Sequence, residues 1–295
     1  MNTKGRQGRE SPPKVEAEKK IAFVLSGGAN RGALEVGALL ALLEHDISPQ
    51  ILVGTSVGAM NAALLAMNPT LEGARGLEKI WREASESIVG RKDYVSALWR
   101  LLTGRSSLYN SKKLKELLET FFPESIHLFS DIKNAELYIT AVDLHNGELR
   151  VFGRDKSESV IDAIMASSAL PIVLAPWRYE GRAYVDGGVV SDLPMRVAVE
   201  AGATELYAID IGPLKFGRRA PKGLMRVVGQ TLDALISHQL LNELSWTGKL
   251  SKDAIHYINV EGFEDVRIWD FGHTEEMIAK GRQDGLEHLR KIGMI

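Results

Sequence analysis

The sequence predicts an α/β fold built on a mainly parallel sheet with crossover helices, and three observations predict it. The apolar run Ile21-Ala22-Phe23-Val24-Leu25 ends at glycines and leads into a helical pattern over residues 32–44. The same order then repeats, with Ile51-Leu52-Val53, a glycine-bounded turn and an apolar helical pattern to residue 67. Two strand–turn–helix units in succession are the mark of parallel strands joined by crossovers. Finally, 295 residues at 45% hydrophobic and 25% charged are those of a soluble globular protein, long enough for one large α/β domain or two small ones with a sizeable core.

The remaining elements follow in order. Residues 1–20 carry Pro12-Pro13, several charges and almost no large apolar side chain, so they read as a disordered tail ahead of a single domain over 21–295. Residues 71–135 read as a helical, cap-like insertion, with Leu114, Leu117, Leu118 and Phe121 marking its clearest amphipathic helix. Within it, residues 94–102 are unusually apolar for a surface helix, and core packing is the favoured reading over contact with acyl chains. Strand-like runs over 137–142 and 149–152 are joined by a hairpin-like turn. A helix over 159–168 stops at Pro171, and strands follow at 183–185 and 205–211. A basic loop over 213–223 precedes a helical pattern over 224–244. A strand over 255–260 and an amphipathic helix over 274–291 complete the pattern.

Composition removes several classes of function. The chain has no cysteine, which excludes disulfides, thiolate catalysis and cysteine-based zinc sites and fits a reducing compartment. The net charge of −2 gives no pull toward nucleic acid. Residues 47–71 are uncharged, but Pro49, Gly54, Gly58, Asn61, Asn68 and Pro69 break them into strand, turn and helix, unlike a membrane span.

The chemistry is concentrated at Gly54-Thr55-Ser56-Val57-Gly58. A serine on a sharp strand-to-helix turn needs small neighbours two residues away on each side, so that the backbone bends and the hydroxyl stands clear. A nucleophile of this kind needs oxyanion donors and a base. Gly27-Gly28-Ala29-Asn30-Arg31-Gly32 can present consecutive backbone N–H groups at a helix start. A nucleotide phosphate would suit the same turn, but the lysine–serine/threonine pair of a phosphate-binding loop is missing, and only Glu44 or Asp46 stand where a ribose-binding acid is expected. None of the seven histidines sits in a glycine-rich turn or beside a catalytic-looking motif. Asp186, at the end of an apolar strand and followed by Gly187-Gly188, is the better base, against the plainer reading of an Asp-Gly turn.

Taken in order, the glycine-rich turn with Arg31, the elbow at Ser56 and Asp186-Gly187-Gly188 resemble the bacterial patatin-like phospholipases. Ala141-Val142-Asp143-Leu144 with Gly147-Glu148, and Ala166-Ser167-Ser168-Ala169-Leu170-Pro171, support the resemblance, which covers residues 21–67 and 137–211. It implies a three-layer α/β/α fold with an elbow-borne nucleophile and a Ser56–Asp186 dyad. Backbone N–H groups of Gly27, Gly28 and Ala29 would form the oxyanion hole. Arg31 would serve as anion contact or brace, and Gly32, Gly54, Gly58, Gly187 and Gly188 would shape the turns. Ala29 departs from the family's usual glycine, and Val142 from its threonine; if position 29 needs a positive φ, the alanine weakens the hole.

The implied activity is hydrolysis of lipid carboxylic esters through an acyl-enzyme, with no metal and no cofactor. The alternative is a regulatory or adaptor protein that kept the fold. The expected partner is a lipid or other acyl ester, with transient membrane-surface contact open, no nucleic acid and the oligomeric state undetermined. The expected location is the cytoplasm, with room for a peripheral place on the membrane.

Overall fold

The computed structural model describes residues 19–90, 111–171, 174–212, 254–263, 265–266 and 270–295, with Ala234, Gln239, Asn242, Glu243, Thr247, Leu250 and Ser251 between them. The expected tail up to residue 18, the apolar stretch 94–102, the basic loop 213–223 and most of the 224–244 pattern lie outside the described residues. Lys20, assigned to the tail from sequence, is instead tied to the sheet. Its N–H donates to Thr204 Oγ1 at 2.8 Å, its carbonyl accepts from the Thr204 N–H at 2.8 Å, and its Nζ reaches Glu136 at 2.6 Å.

The sheet comprises β1 (Ile21–Leu25), β2 (Ile51–Thr55), β3 (Glu136–Asp143), β4 (Glu148–Phe152), β5 (Trp177–Tyr179), β6 (Arg182–Asp186), β7 (Glu205–Asp210) and β8 (Ile255–Asn259). Their order is β5-β6-β3-β2-β1-β7-β8, with β4 also on β3. Pairings among β3, β2, β1, β7 and β8 are parallel, whereas β4, β5 and β6 join antiparallel. The parallel strands are apolar on both faces because both faces are covered. Phe23, Leu25, Leu52, Tyr207 and Ile209 face one core; Ala22, Val24, Ile51, Val53, Leu206 and Ala208 face the other.

Helices α1 (Gly32–Leu43), α2 (Val57–Met67), α3 (Leu71–Gly90) and α4 (Ser111–Glu119) come next, with α5 (Val160–Ser167), α6 (Met195–Glu200) and α7 (Thr274–Lys291) later in the chain. The first core lies under α1, α2, α3 and α7, and the second under α6, which gives the expected three layers. Ala74, Leu77 and Trp81 place α3 in the first core, so this part of the expected cap is a structural layer of the domain. Periodicity did not find β5, which is only three residues long, or α6, which is only six.

Helix α1 is buried on every side, because α7 crosses it almost backbone to backbone. A Cβ at Gly281 would stand 1.9 Å from the Leu34 carbonyl oxygen, and one at Gly37 would stand 2.0 Å from that of Ile278. Neither oxygen can retreat without moving a helix. Gly281→Ala is therefore expected to destabilise the protein by about 2 kcal/mol, read as a lower urea midpoint with an unchanged slope.

Candidate active site

The β2–α2 turn is an elbow enforced by contact. A Cβ at Gly54 would lie 2.3 Å from the Gly58 carbonyl oxygen, and one at Gly58 would lie 2.5 Å from that of Ser26. Both glycines therefore let α2 start close against β2 and the end of β1. Between them, Ser56 adopts φ 55° and ψ −122°, a sparsely populated conformation for an L-residue. Its N–H donates to Ser167 Oγ at 2.7 Å, which anchors the strained residue to the end of α5. The elbow leaves Ser56 at the positive end of the α2 dipole.

Asp186 reaches Ser56 through the register of β3. Thr55, the last residue of β2, pairs with Thr140, and the next residue of β3, Ala141, pairs with Asp186. Since β4 occupies the other edge of β3, β2 and β6 meet end to end along the same edge. Gly187 lies against β3, where a Cβ would stand 2.5 Å from the Thr140 carbonyl oxygen. Asp186 is buried, and burial pushes its carboxyl up to about 6 against the lowering effects of the Gly188 N–H, which donates to Oδ1 at 2.9 Å, and of the Ser56 hydroxyl.

The oxyanion turn differs from expectation in two respects. Gly27 is a correction: its N–H donates to Asp192 Oδ1 at 3.1 Å and is not free to receive an oxyanion. Gly28 and Ala29 carry no N–H partner among the described residues. Ala29 has φ 53°, so position 29 does need the left-handed conformation, which costs a Cβ-bearing residue about 1–2 kcal/mol. Arg31 faces carboxylates: its charge stabilises the ionised forms of Asp192 and Asp210. Gly32 starts α1 where a Cβ would meet Val57 at 2.5 Å, and Val142 is buried in β3 between Leu149 and Val185.

Sequence reasoning missed three acids. Burial and the adjacent Asp210 and Asp186 push Asp192 well above the usual carboxylate range. Asp210, raised by burial, accepts from Tyr257 Oη at 2.6 Å and the Gly212 N–H at 2.8 Å. Glu35 is fully buried in α1 and raised well above its usual range by that burial; its Oε2 accepts from Asn61 Nδ2 at 2.8 Å, while Trp81 Nε1 donates to Asn61 Oδ1 at 2.9 Å. Signals existed for two of them. Asp210 is a strand-end acid closely followed by glycine, the feature that singled out Asp186, and Glu35 interrupts an apolar helix. Histidines bind elsewhere: His45 to the Ala41 carbonyl, His145 to Asp143, His256 to Glu205 and His273 to Glu276.

Residues 23–199 match the family described as patatin-like phospholipase. The chain belongs to the patatin-like phospholipase family. Patatin-like phospholipase domain-containing protein 7 of Rattus norvegicus is 30% identical over 65% of this chain and 14% of its own length. Lysophospholipase NTE1 of Meyerozyma guilliermondii is 25% identical over 69% of this chain and 14% of its own. Protein R571 of Acanthamoeba polyphaga mimivirus is 28% identical over 63% of this chain and 64% of its own. The chain thus spans about a seventh of the animal and fungal relatives and under two thirds of the viral one. VipD from Legionella pneumophila shares the patatin fold, with a TM-score of 0.50 at 15% identity over 93% of this chain and 67% of that one. Among the described residues, no helix is long and apolar enough to cross a membrane.

The strain at Ala29 is testable in this family member. Ala29→Gly is expected to raise stability by up to about 1 kcal/mol, whereas Ala29→Val lowers it by more than that, both measured by chemical denaturation.

Proposed function

We propose that this patatin-like protein is a serine acyl hydrolase that cleaves carboxylic esters of lipids through a Ser56–Asp186 dyad. Ser56 Oγ attacks the ester carbonyl carbon while Asp186 takes the hydroxyl proton. The carbonyl electron pair moves to oxygen, held by the N–H groups of Gly28 and Ala29. Collapse of this intermediate breaks the C–O bond, and the leaving alcohol takes the proton back from Asp186. Water, deprotonated by Asp186, then attacks the acyl-Ser56 ester and releases the fatty acid and free serine.

The observation that carries this reading is the meeting of β2 and β6 on one edge of β3. It puts a buried, raised carboxyl beside a strained serine hydroxyl. A base near pH 6 is ionised at neutral pH yet keeps proton affinity enough to assist attack. The relatives' names supply the substrate class, lysophospholipid or phospholipid, for this chain as a proposal. The same proposal takes the protein as a bacterial member that meets lipid by transient membrane-surface contact, and as cytoplasmic, which fits the absence of cysteine.

Ser56→Ala is expected to abolish labelling by a fluorophosphonate probe and hydrolysis of a chromogenic acyl ester. Asp186→Asn lowers kcat by on the order of 10²–10⁴. Unchanged hydrolysis in Ser56→Ala would refute the reading. Because the base must be ionised, kcat/KM is expected to fall about tenfold per pH unit below an apparent pKa near 6, measured as a pH–rate profile.

A further inference from the structure

Asp192 takes no part in the proposed proton transfers, yet the two glycine motifs are shaped around one of its oxygens. Its Oδ1 accepts the Gly27 N–H at 3.1 Å. A Cβ at Gly27 would stand 2.6 Å from that oxygen, and a Cβ at Gly188 would stand 2.9 Å from it. The first glycine belongs to the oxyanion turn and the second to the loop after Asp186. The preceding residue is held as well, since Thr55 Oγ1 donates to the Ser191 carbonyl at 3.3 Å, one residue from the nucleophile.

We propose that Asp192 is a positioning residue whose carboxyl pins the oxyanion turn, through the Gly27 N–H, to the loop that carries Asp186. The turn has need of an external hold. Two consecutive glycines leave its backbone free to rotate, and Ala29 sits at an unfavourable positive φ. Fixing the Gly27 peptide fixes the direction of the peptides that follow, and so the aim of the Gly28 and Ala29 N–H groups. Gly27 itself lies against the nucleophile, its Cβ position being 3.2 Å from Ser56 Cβ.

The groups facing Asp192 are Asp186 from the end of β6, Asp210 from the end of β7, Glu35 from α1 and Arg31 from the oxyanion turn. Three carboxyls oppose its charge and one guanidinium favours it. With burial added, its carboxyl holds a proton to a higher pH than an ordinary aspartate does. A neutral carboxyl still accepts through one oxygen, so asparagine can do the same work and alanine cannot.

The test compares full-length Asp192→Asn and Asp192→Ala with the wild type. The kinetic arm rests on the acyl hydrolase reading. Asp192→Ala should lower kcat on the chromogenic ester about tenfold or more with a smaller change in KM, and Asp192→Asn should recover it to within about threefold. The thermal arm needs no turnover. Asp192→Ala, with the Gly27 N–H left unpaired, should melt about 2–4 °C below Asp192→Asn.

The pH dependence separates the asparagine from the native acid. The folded-state pKa is raised, so the stability held by the protonated carboxyl is lost as pH rises through it. Asp192→Asn should therefore gain on the wild type in melting temperature as pH rises above the ordinary carboxylate range. Equal melting of the two variants, a kcat in Asp192→Ala equal to wild type, or equal kcat losses in both variants would overturn the proposal. If Ser56→Ala keeps full hydrolysis, the acyl hydrolase reading falls, and the thermal arm still decides the role of Asp192.

Discussion

The spacing between adjacent residues of β3 governs the site. Thr140 ends the pairing of one strand and Ala141 begins that of another. Strands β2 and β6 therefore both end there, which brings Ser56 and Asp186 together. Hydrogen-bonded strands lie about 4.8 Å apart, and their side chains alternate in direction. This ladder sets the separation of Ser56 and Asp186 more tightly than loops could. A slip of one residue in either pairing would turn one of the two groups to the opposite face. The apolar side chains of β1, β2 and β7 keep that register in place by filling both cores.

Glycine acts here mainly by leaving space. At Gly54, Gly58 and Gly187 a methyl group would strike a carbonyl oxygen of a neighbouring element. At Gly27 and Gly188 it would strike the carboxylate of Asp192. At Ala29 and Ser56, by contrast, residues with a Cβ take positive φ, 53° and 55°. Both positions therefore store backbone strain, and the packed backbone around Ser56 holds it there. Four acids, Glu35, Asp186, Asp192 and Asp210, and one Arg31 share this end of the sheet. Burial raises all four carboxyls above their ordinary range, and neighbouring carboxyls add to this at Glu35 and Asp192.

Most of the framework could be read from hydrophobic periodicity. Ile21–Leu25 and Thr274–Lys291 have the ends that the sequence suggested, because glycines or polar turns bound strongly patterned runs. Met195–Glu200 and Trp177–Tyr179 were missed, being too short to show a period. Ser56 and Asp186 stood out as candidates because each lies at the end of an apolar strand with glycine within two residues. The loss of Gly27 as a donor was not readable. A glycine-rich motif announces close approach, but not which acceptor approaches. Asp192 owes its place to tertiary pairing between loops far apart in sequence. No local pattern carries that information.

The crossing of α7 on α1 has a consequence for how the chain comes together during synthesis. The turn ahead of α1 follows β1, and β1 needs β7 on one side as well as β2 on the other. The side of α1 that faces α7 in turn stays uncovered until residues 274–291 have left the ribosome. Ser56 and the glycine-rich turn are made early, Ser167, Asp186 and Asp192 follow much later, and β7 and α7 later still. Contacts of such long sequence separation form slowly, since a large loop must close before they repay its entropy. A nascent chain thus carries Ser56 on an unfinished sheet until these later elements have been made.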